Sequence, residues 1–484
     1  MRVSIQKPLF AWDCLEDHPA FSTIKKLLNG IPDQALLEGL RTARGRGRDD
    51  YPVEVLWGVV VLTIALRHTH IESCLGELGR NPSLAKLIGI KKPQQIPQGC
   101  NVSRFLKTLG QEPHRSELQN VFNVMAKKLG RAVPDLGTYT AGDATALNAR
   151  LSRKDADKHK EEQEQQKKQE ASRKKAEANT RDSSDAKEKK IKYDEHGLPQ
   201  PSGGRKEYKD DEGRVTHVVE WFGYKLHLLV DTKHEVTLAY RISSTKVGDN
   251  EMLPELVDQA SANLPPQRIA TLAYDKAADD QKVHEELHKR GIKPVIQNRA
   301  LWKDEKEKML PGHDGNSNIV YDEAGTLYCY DRESQPIIRH RMAYIGYEPS
   351  RQTIKYRCPA KHEGWACPMA KTCNAGKTYG LTVRVPRGID LRRFPAVPRA
   401  TKKFERLYKG RTAVERVNAR LKLFWGVDDG NITGARRFVA QVGAVMVVHA
   451  GLALLLAATP RRDGTLGKTR LSTIQQALQK PVAA

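Results

Sequence analysis

EWFGYKLHLLVDT, residues 220–232, is the stretch on which the fold turns. Trp221, Gly223, Lys225 and His227 alternate with Phe222, Tyr224, Leu226 and Leu228, the period of a strand. A short polar turn at 231–235 leads into VTLAYRISS, 236–244, a second strand. Residues 250–262 then place Met252, Leu253, Leu256 and Val257 on one side of a helix. IATLAYD, 269–275, reads as a buried strand ending at Asp275, and DDQKVHEELHKRG, 279–291, as an amphipathic helix stopped by Gly291. Lys293 to Gln297 gives one more short strand. Upstream, TYTAGDATALNAR, 138–150, has the Thr and small residues of a strand with a polar edge near Asp143. The order is strand, two strands, helix, strand, helix, strand, with acids at the ends of the first and fourth strands. That is an α/β pattern with a mixed sheet and an active edge, because ligands of such sheets gather beyond strand ends.

Around this core the character of the chain changes several times. Val53, Leu56, Val60, Ile64, Ile71, Leu75, Leu78, Leu84, Leu87 and Ile88 recur at helical spacing, and 101–105 opens a helix carrying Arg104 and Lys107 one turn apart. Residues 1–130 are expected to be a helical domain, either a DNA-contacting module or a plain bundle. The core runs over 131–299, interrupted at 153–204 by a charged linker that ends in GLPQPSGG at 197–204. That linker reads as a solvated arm, with a DNA-tracking role as the alternative. Residues 300–399 look like a separate inserted β-rich unit, 400–460 like the helices that complete the core, and 461–484 like a tail. The apolar run at 438–458 approaches membrane-span length but contains Gln441 and His449, so a core helix is expected.

Composition narrows the function. With 81 Lys and Arg against 58 Asp and Glu in 484 residues, the net charge is +23. An excess of this size favours a polyanionic partner, nucleic acid first. A mean hydropathy of −0.60 argues against a polytopic membrane protein. The start, MRVSIQKPLFAWDC, has no apolar stretch of signal length, and seven cysteines do not form an obvious disulfide framework. A cytoplasmic, nucleoid-associated protein is the expectation.

YKGRTAVERVNARLK, 408–422, carries the chemistry. Wound at about 100° per residue, Tyr408, Arg411, Glu415 and Lys422 fall within an arc of about 60°. Ala413, Val414, Val417, Leu421 and Phe424 cover the opposite, buried side. A carboxylate grouped with two cations and a phenol suits a site that holds a metal ion and grips phosphate.

Tyr408, Arg411, Glu415 and Lys422 match the spacing of the Y-R-E-K signature, and on these residues the chain resembles the DDE insertion-sequence transposases. GDATALNA around Asp143 is similar to the family's first-aspartate motif, and LAYDKAADD to its second, with Asp275 in the metal-binding place. FGYKLHLLVD and KVGDNEMLPEL resemble the strand and helix between them. The second motif departs from the usual Asp-Lys-Gly-Tyr, reading Asp275-Lys276-Ala277-Ala278, with Tyr274 before the aspartate and two further acids, Asp279 and Asp280, close by.

The resemblance implies an RNase H-like fold, a catalytic triad of Asp143, Asp275 and Glu415 on Mg²⁺ or Mn²⁺, and cleavage and strand transfer on double-stranded DNA by a homodimer. It also implies DNA contacts for Tyr408, Arg411 and Lys422; Lys225 and Arg104 are expected as further DNA-binding residues. A silenced DNA-binding relative and a stand-alone metal nuclease are the alternatives.

Within 300–399 lie Cys329, Cys358, His362, Cys367 and Cys373, whose spacings allow a structural Zn²⁺ site of the Cys₄ or Cys₃His type. Reduced thiols in a β-rich loop are the other reading.

Overall fold

The computed structural model describes residues 19–46, 50–150, 192–210, 214–302, 306–311, 318–428, 432–458 and 465–466. The charged segment at 153–191 and nearly all of the tail expected over 461–484 lie outside these residues.

Among the described residues seven helices come first: α1 (Pro19–Gly30), α2 (Gln34–Arg44), α3 (Val53–Ala65), α4 (Ile71–Arg80), α5 (Pro82–Leu87), α6 (Gly99–Leu109) and α7 (His114–Ala132). The strands β1 (Tyr139–Asn148), β2 (Ser202–Lys209), β3 (Val215–Asp231) and β4 (Thr237–Ser244) follow. Next come α8 (Asp249–Asn263), β5 (Thr271–Tyr274), α9 (Gln281–Lys289) and β6 (Lys293–Ile296). These strands form one six-stranded sheet ordered β2-β3-β1-β5-β6, with β4 paired on β3. β3 is antiparallel to β1, β2 and β4, whereas β5 and β6 run parallel to β1.

β3 is long enough to need two partners, β2 along its first half and β4 along its second. Its second half lies inside the protein: Tyr224, Leu226, Leu228, Leu229 and Val230 are buried, so both faces there are covered. The alternation seen in the sequence therefore understates its burial, and His227 on the polar-looking side is fully enclosed.

The last helices are α12 (Lys402–Lys409), α13 (Thr412–Trp425) and α14 (Ala435–Ala457). α14 packs against α1, α3, α6, α7 and β4, and α13 against β1 and β3. The N-terminal helices thus do not keep a core to themselves; one apolar cluster runs from Ile24 through the sheet to Leu456. Gly110 marks the tightest crossing, since a Cβ there would lie on the carbonyl oxygen of Arg436 at the start of α14. α14 is long and apolar enough to cross a membrane, but 78% of its most apolar window is buried among the other helices. Burial pushes His449 down to about 3, so its ring is neutral and Nε2 accepts the backbone N–H of Thr237 at 3.2 Å. A polar residue in the middle of an apolar helix is here a pin between helix and sheet.

Between β6 and α12 lies the inserted unit. β7 (Glu307–Met309), β8 (Ile319–Asp322), β9 (Leu327–Asp331) and β10 (Ile338–Arg341) form a four-stranded antiparallel sheet. β11 (Ala343–Glu348), β12 (Thr353–Arg357) and β13 (Thr382–Pro386) form a three-stranded one, with α10 (Pro359–Glu363) and α11 (Ala370–Cys373) on the connection from β12 to β13. The unit has an apolar cluster of its own, including Ile319, Leu327, Ile354, Val383, Val385 and Phe394.

Candidate active site at the sheet edge

β1 and β5 lie side by side and parallel, with Ala141 opposite Ala273 as the last paired position. Asp143 and Asp275 each stand two residues beyond that pair, so equal register brings them to the same level; Asp275 lies just past the end of β5, whereas Asp143, expected at a strand end, sits in the middle of β1, which runs on to Asn148 because β3 continues to pair with it. Small side chains make the approach possible: a Cβ on Gly142 would come within 2.3 Å of the Tyr274 ring, which occupies the space beneath.

The electrostatics follow from this crowding. Burial pushes the Asp143 carboxyl up to about 6; the Ala144 N–H and Arg411 oppose the rise, and Asp249 and Asp275 add to it. Tyr274 is driven well above its ordinary range by burial and then by Asp249, Asp143 and Asp275. Its hydroxyl is fully buried and has no hydrogen-bond partner among the described residues. Asp275 accepts the backbone N–H of Lys276 at 2.6 Å.

The acids beside Asp275 are engaged elsewhere. Asp279 is buried and accepts from His284 at 3.0 Å, the Arg299 N–H at 2.8 Å, Arg392 at 2.8 Å and Arg399 at 2.9 Å. Although burial opposes its charge, these donors hold it at about 2. Asp280 caps α9 through the Lys282 N–H at 2.9 Å. Asp275 alone of the three faces Asp143.

The stripe read along 408–422 does not belong to one helix. The chain breaks at Gly410, a poor helix residue, whose N–H bonds back to Leu407, and α13 starts anew at Thr412. Arg411 at that joint nevertheless becomes the hub. Its Nη2 donates to Glu415 Oε1 at 2.7 Å, its guanidinium lies 5.9 Å from the Tyr408 ring centre, and it also feels Asp143 and Asp275. Phe404 stacks on Tyr408 at 5.7 Å and steadies it. The buried side is as expected for Ala413, Val414, Val417 and Leu421. Lys422 stands apart from the hub: it donates to the Ala146 carbonyl in β1 and lies 3.3 Å from Asp428.

Lys225 is half-buried, its ammonium donating to the Val247 carbonyl at 2.9 Å and to Asp249 at 3.1 Å. Asp249, at the start of α8, is the acidic group that sequence reading missed; KVGDNEMLPEL was noticed, but nothing in it shows that α8 aims this residue at Asp143 and Tyr274. His227 lies 3.8 Å from Asp249 and bonds Ser243 at 2.7 Å, and burial lowers it to about 4. Arg104 is exposed on α6, as is Lys107 one turn later.

Oxygen donors and excess negative charge fit a hard divalent cation at this edge. Among the described residues, however, no three His, Cys, Asp or Glu side chains stand in ligating geometry about one point, and Glu415 is drawn into its ion pair with Arg411. The same holds in the inserted unit. There Cys329, Cys358, Cys367 and Cys373 all line one cavity, while His362 is exposed on α10 and not among the lining residues.

Among curated proteins none matches the sequence. The family described as "Transposase DDE domain" matches residues 182–450, a span that takes in Asp275, Tyr408, Arg411 and Glu415 and begins after Asp143. With more than half of its length matched, this chain belongs to the DDE-domain transposases of insertion sequences.

Proposed function

We propose that the chain binds the ends of its own insertion sequence as a homodimer and carries out DNA cleavage and strand transfer there. The observation that carries this reading is the convergence of Asp143, Asp275 and the Arg411–Glu415 pair at one sheet edge from three separate segments. The strand order β4-β3-β1-β5-β6, with the first two connections antiparallel and the last two parallel, supports an RNase H-like core.

Asp143, Asp275 and Glu415 are the residues that would hold Mg²⁺ or Mn²⁺, and the mutual repulsion felt by Asp143 favours cation binding. When bound, the metal supplies the positive charge that activates the attacking oxygen and offsets charge on the leaving one. Glu415 reaches this place once it turns from Arg411, and Arg411 is then released to donate to a phosphate oxygen. Tyr408, stacked on Phe404, is held rigidly beside the scissile position. Lys225 fixes Asp249 through their ion pair, and Asp249 adds to the negative field at Asp143 that a cation would offset. Lys422 and the exposed Arg104 contact the DNA backbone on either side.

In the first step a water oxygen bonds to phosphorus, the P–O3′ bond breaks, and the element end keeps a 3′-hydroxyl. In the second that hydroxyl attacks a target phosphodiester, and the target's own 3′-oxygen leaves. The test is incubation of the purified chain with labelled DNA from the flanks of its gene, in Mg²⁺ or EDTA, beside Asp143→Ala and Glu415→Gln. Metal-dependent nicking and joined products, lost in both variants, are expected. Binding without cleavage under every condition would leave a silent DNA-binding protein; cleavage without joined products would leave a nuclease.

A further inference from the structure

Four cysteines widely separated in sequence meet in the inserted unit. Cys329 comes from the middle of β9, Cys358 from the end of β12, and Cys367 and Cys373 from the connection to β13. They surround a cavity of about 20 Å³, room for a single water-sized species, and none is in a disulfide. We propose that these four sulfurs are the ligands of one structural Zn²⁺ that ties the four-stranded sheet to the three-stranded one.

Two observations carry the assignment. The donor set is soft and tetrahedral in number, as closed structural zinc sites require. Two amide N–H groups are aimed at the sulfurs: Asn318 Nδ2 donates to Cys373 Sγ at 3.5 Å and Asn374 Nδ2 to Cys358 Sγ at 3.7 Å. Such donors stabilise metal-bound thiolates, and apolar thiols filling a gap have no need of them.

The two neighbouring histidines are placed differently. His362 is exposed on α10 and does not line the cavity. His340 pairs across the strands with Cys329 and lines the cavity, its ring against Trp365 at 4.7 Å between centres and its Nε2 buried without a hydrogen-bond partner among the described residues, so the metal analysis of His340→Ala decides between four sulfurs and a mixed set. The sulfurs are not yet in ligating geometry, so metal entry closes the ring by side-chain rotation and releases four thiol protons to solvent.

The full chain, purified under reducing conditions with zinc present, is analysed for metal. About one zinc per chain is expected, kept by His362→Ala and His340→Ala and lost by Cys358→Ser and Cys373→Ser. Absence of zinc from the wild type, or zinc content unchanged in the cysteine variants, overturns the site; loss in His340→Ala with retention in Cys329→Ser overturns the four-thiolate set. Because a cysteine variant can fail to fold, alkylation of the wild type followed by mass spectrometry is the second measurement. Cys329, Cys358, Cys367 and Cys373 should be protected until a chelator is added, while exposed Cys100 reacts throughout. Equal labelling before and after chelation overturns the proposal. Neither readout depends on DNA cleavage, so the outcome is independent of the catalytic reading.

Discussion

The sheet edge and the cysteine cavity gather their donors in opposite ways. At the edge, carboxylates ride on the middle of β1, just past the end of β5 and on a helix, half open to solvent, with Glu415 exposed and held by an arginine. In the cavity, thiols hang from a strand, a strand end and a connecting segment, and apolar side chains from two small sheets enclose them. The first arrangement suits a cation that shares its coordination with a substrate, the second one that never meets a substrate. The difference lies in enclosure: β5 stops before Asp275 and leaves it partly exposed, whereas the thiols lie among the apolar side chains of two small sheets.

The sharpest way to break this comparison is at Asp143. Asp143→Ala should reduce metal-dependent cleavage about 10³-fold or more while gel-shift binding to element ends persists. Retained cleavage would move the site elsewhere. The next effect is on stability, where the inserted unit meets the core. Asp279→Ala leaves Arg392 and Arg399 buried without their carboxylate, and should cost about 3–5 kcal/mol in denaturant unfolding. A loss no larger than that of an exposed charge would show that the two bodies are not bolted at this point.

A smaller effect tests the crowding at the edge through pH. Asp143 titrates near 3.8 when unfolded and at about 6 when folded. Between these values the folded chain binds the extra proton, so this contribution to stability is complete below about 3.8 and is lost as pH rises through about 6. Metal-free Asp143→Asn should therefore gain on the wild type in thermal melts as pH rises across that window, and Mg²⁺ should narrow the gap. A difference that does not change with pH would place Asp143 in water. Cleavage should fall as pH drops below about 6, since a protonated Asp143 is a poor ligand. Smallest of all, Lys422→Ala should make the salt dependence of DNA binding shallower by about one phosphate contact. An unchanged slope would leave Lys422 with its contacts to Ala146 and Asp428 alone.

Much of the core was legible because its elements announce themselves locally. The apolar alternation of 220–232, the periodic faces of α8 and α9, and Gly291 after α9 gave strands and helices within a few residues of those observed. Gly410 was harder to read: a helical wheel places Tyr408 and Glu415 on one stripe whether or not the helix is continuous, and the break appears only once α12 and α13 are laid against β6, β1 and β3. Asp249 and the enclosure of His227 and His449 were invisible for the same reason, since burial belongs to the neighbours and not to the residue.

The sequence by itself determined the alternation of strands and helices, the acid at the end of the second of the two strands that carry them, the Tyr-Arg-Glu-Lys spacing and the supply of cysteines. Each depends on side-chain type and short-range period, which are properties of a segment. Tertiary structure alone decided which of Asp275, Asp279 and Asp280 faces Asp143, which ammonium pairs with Asp249, and which thiols share a cavity without His362. Those choices come from strand register and from long-range packing between segments distant in sequence, and no local pattern encodes a contact with a partner more than a hundred residues away.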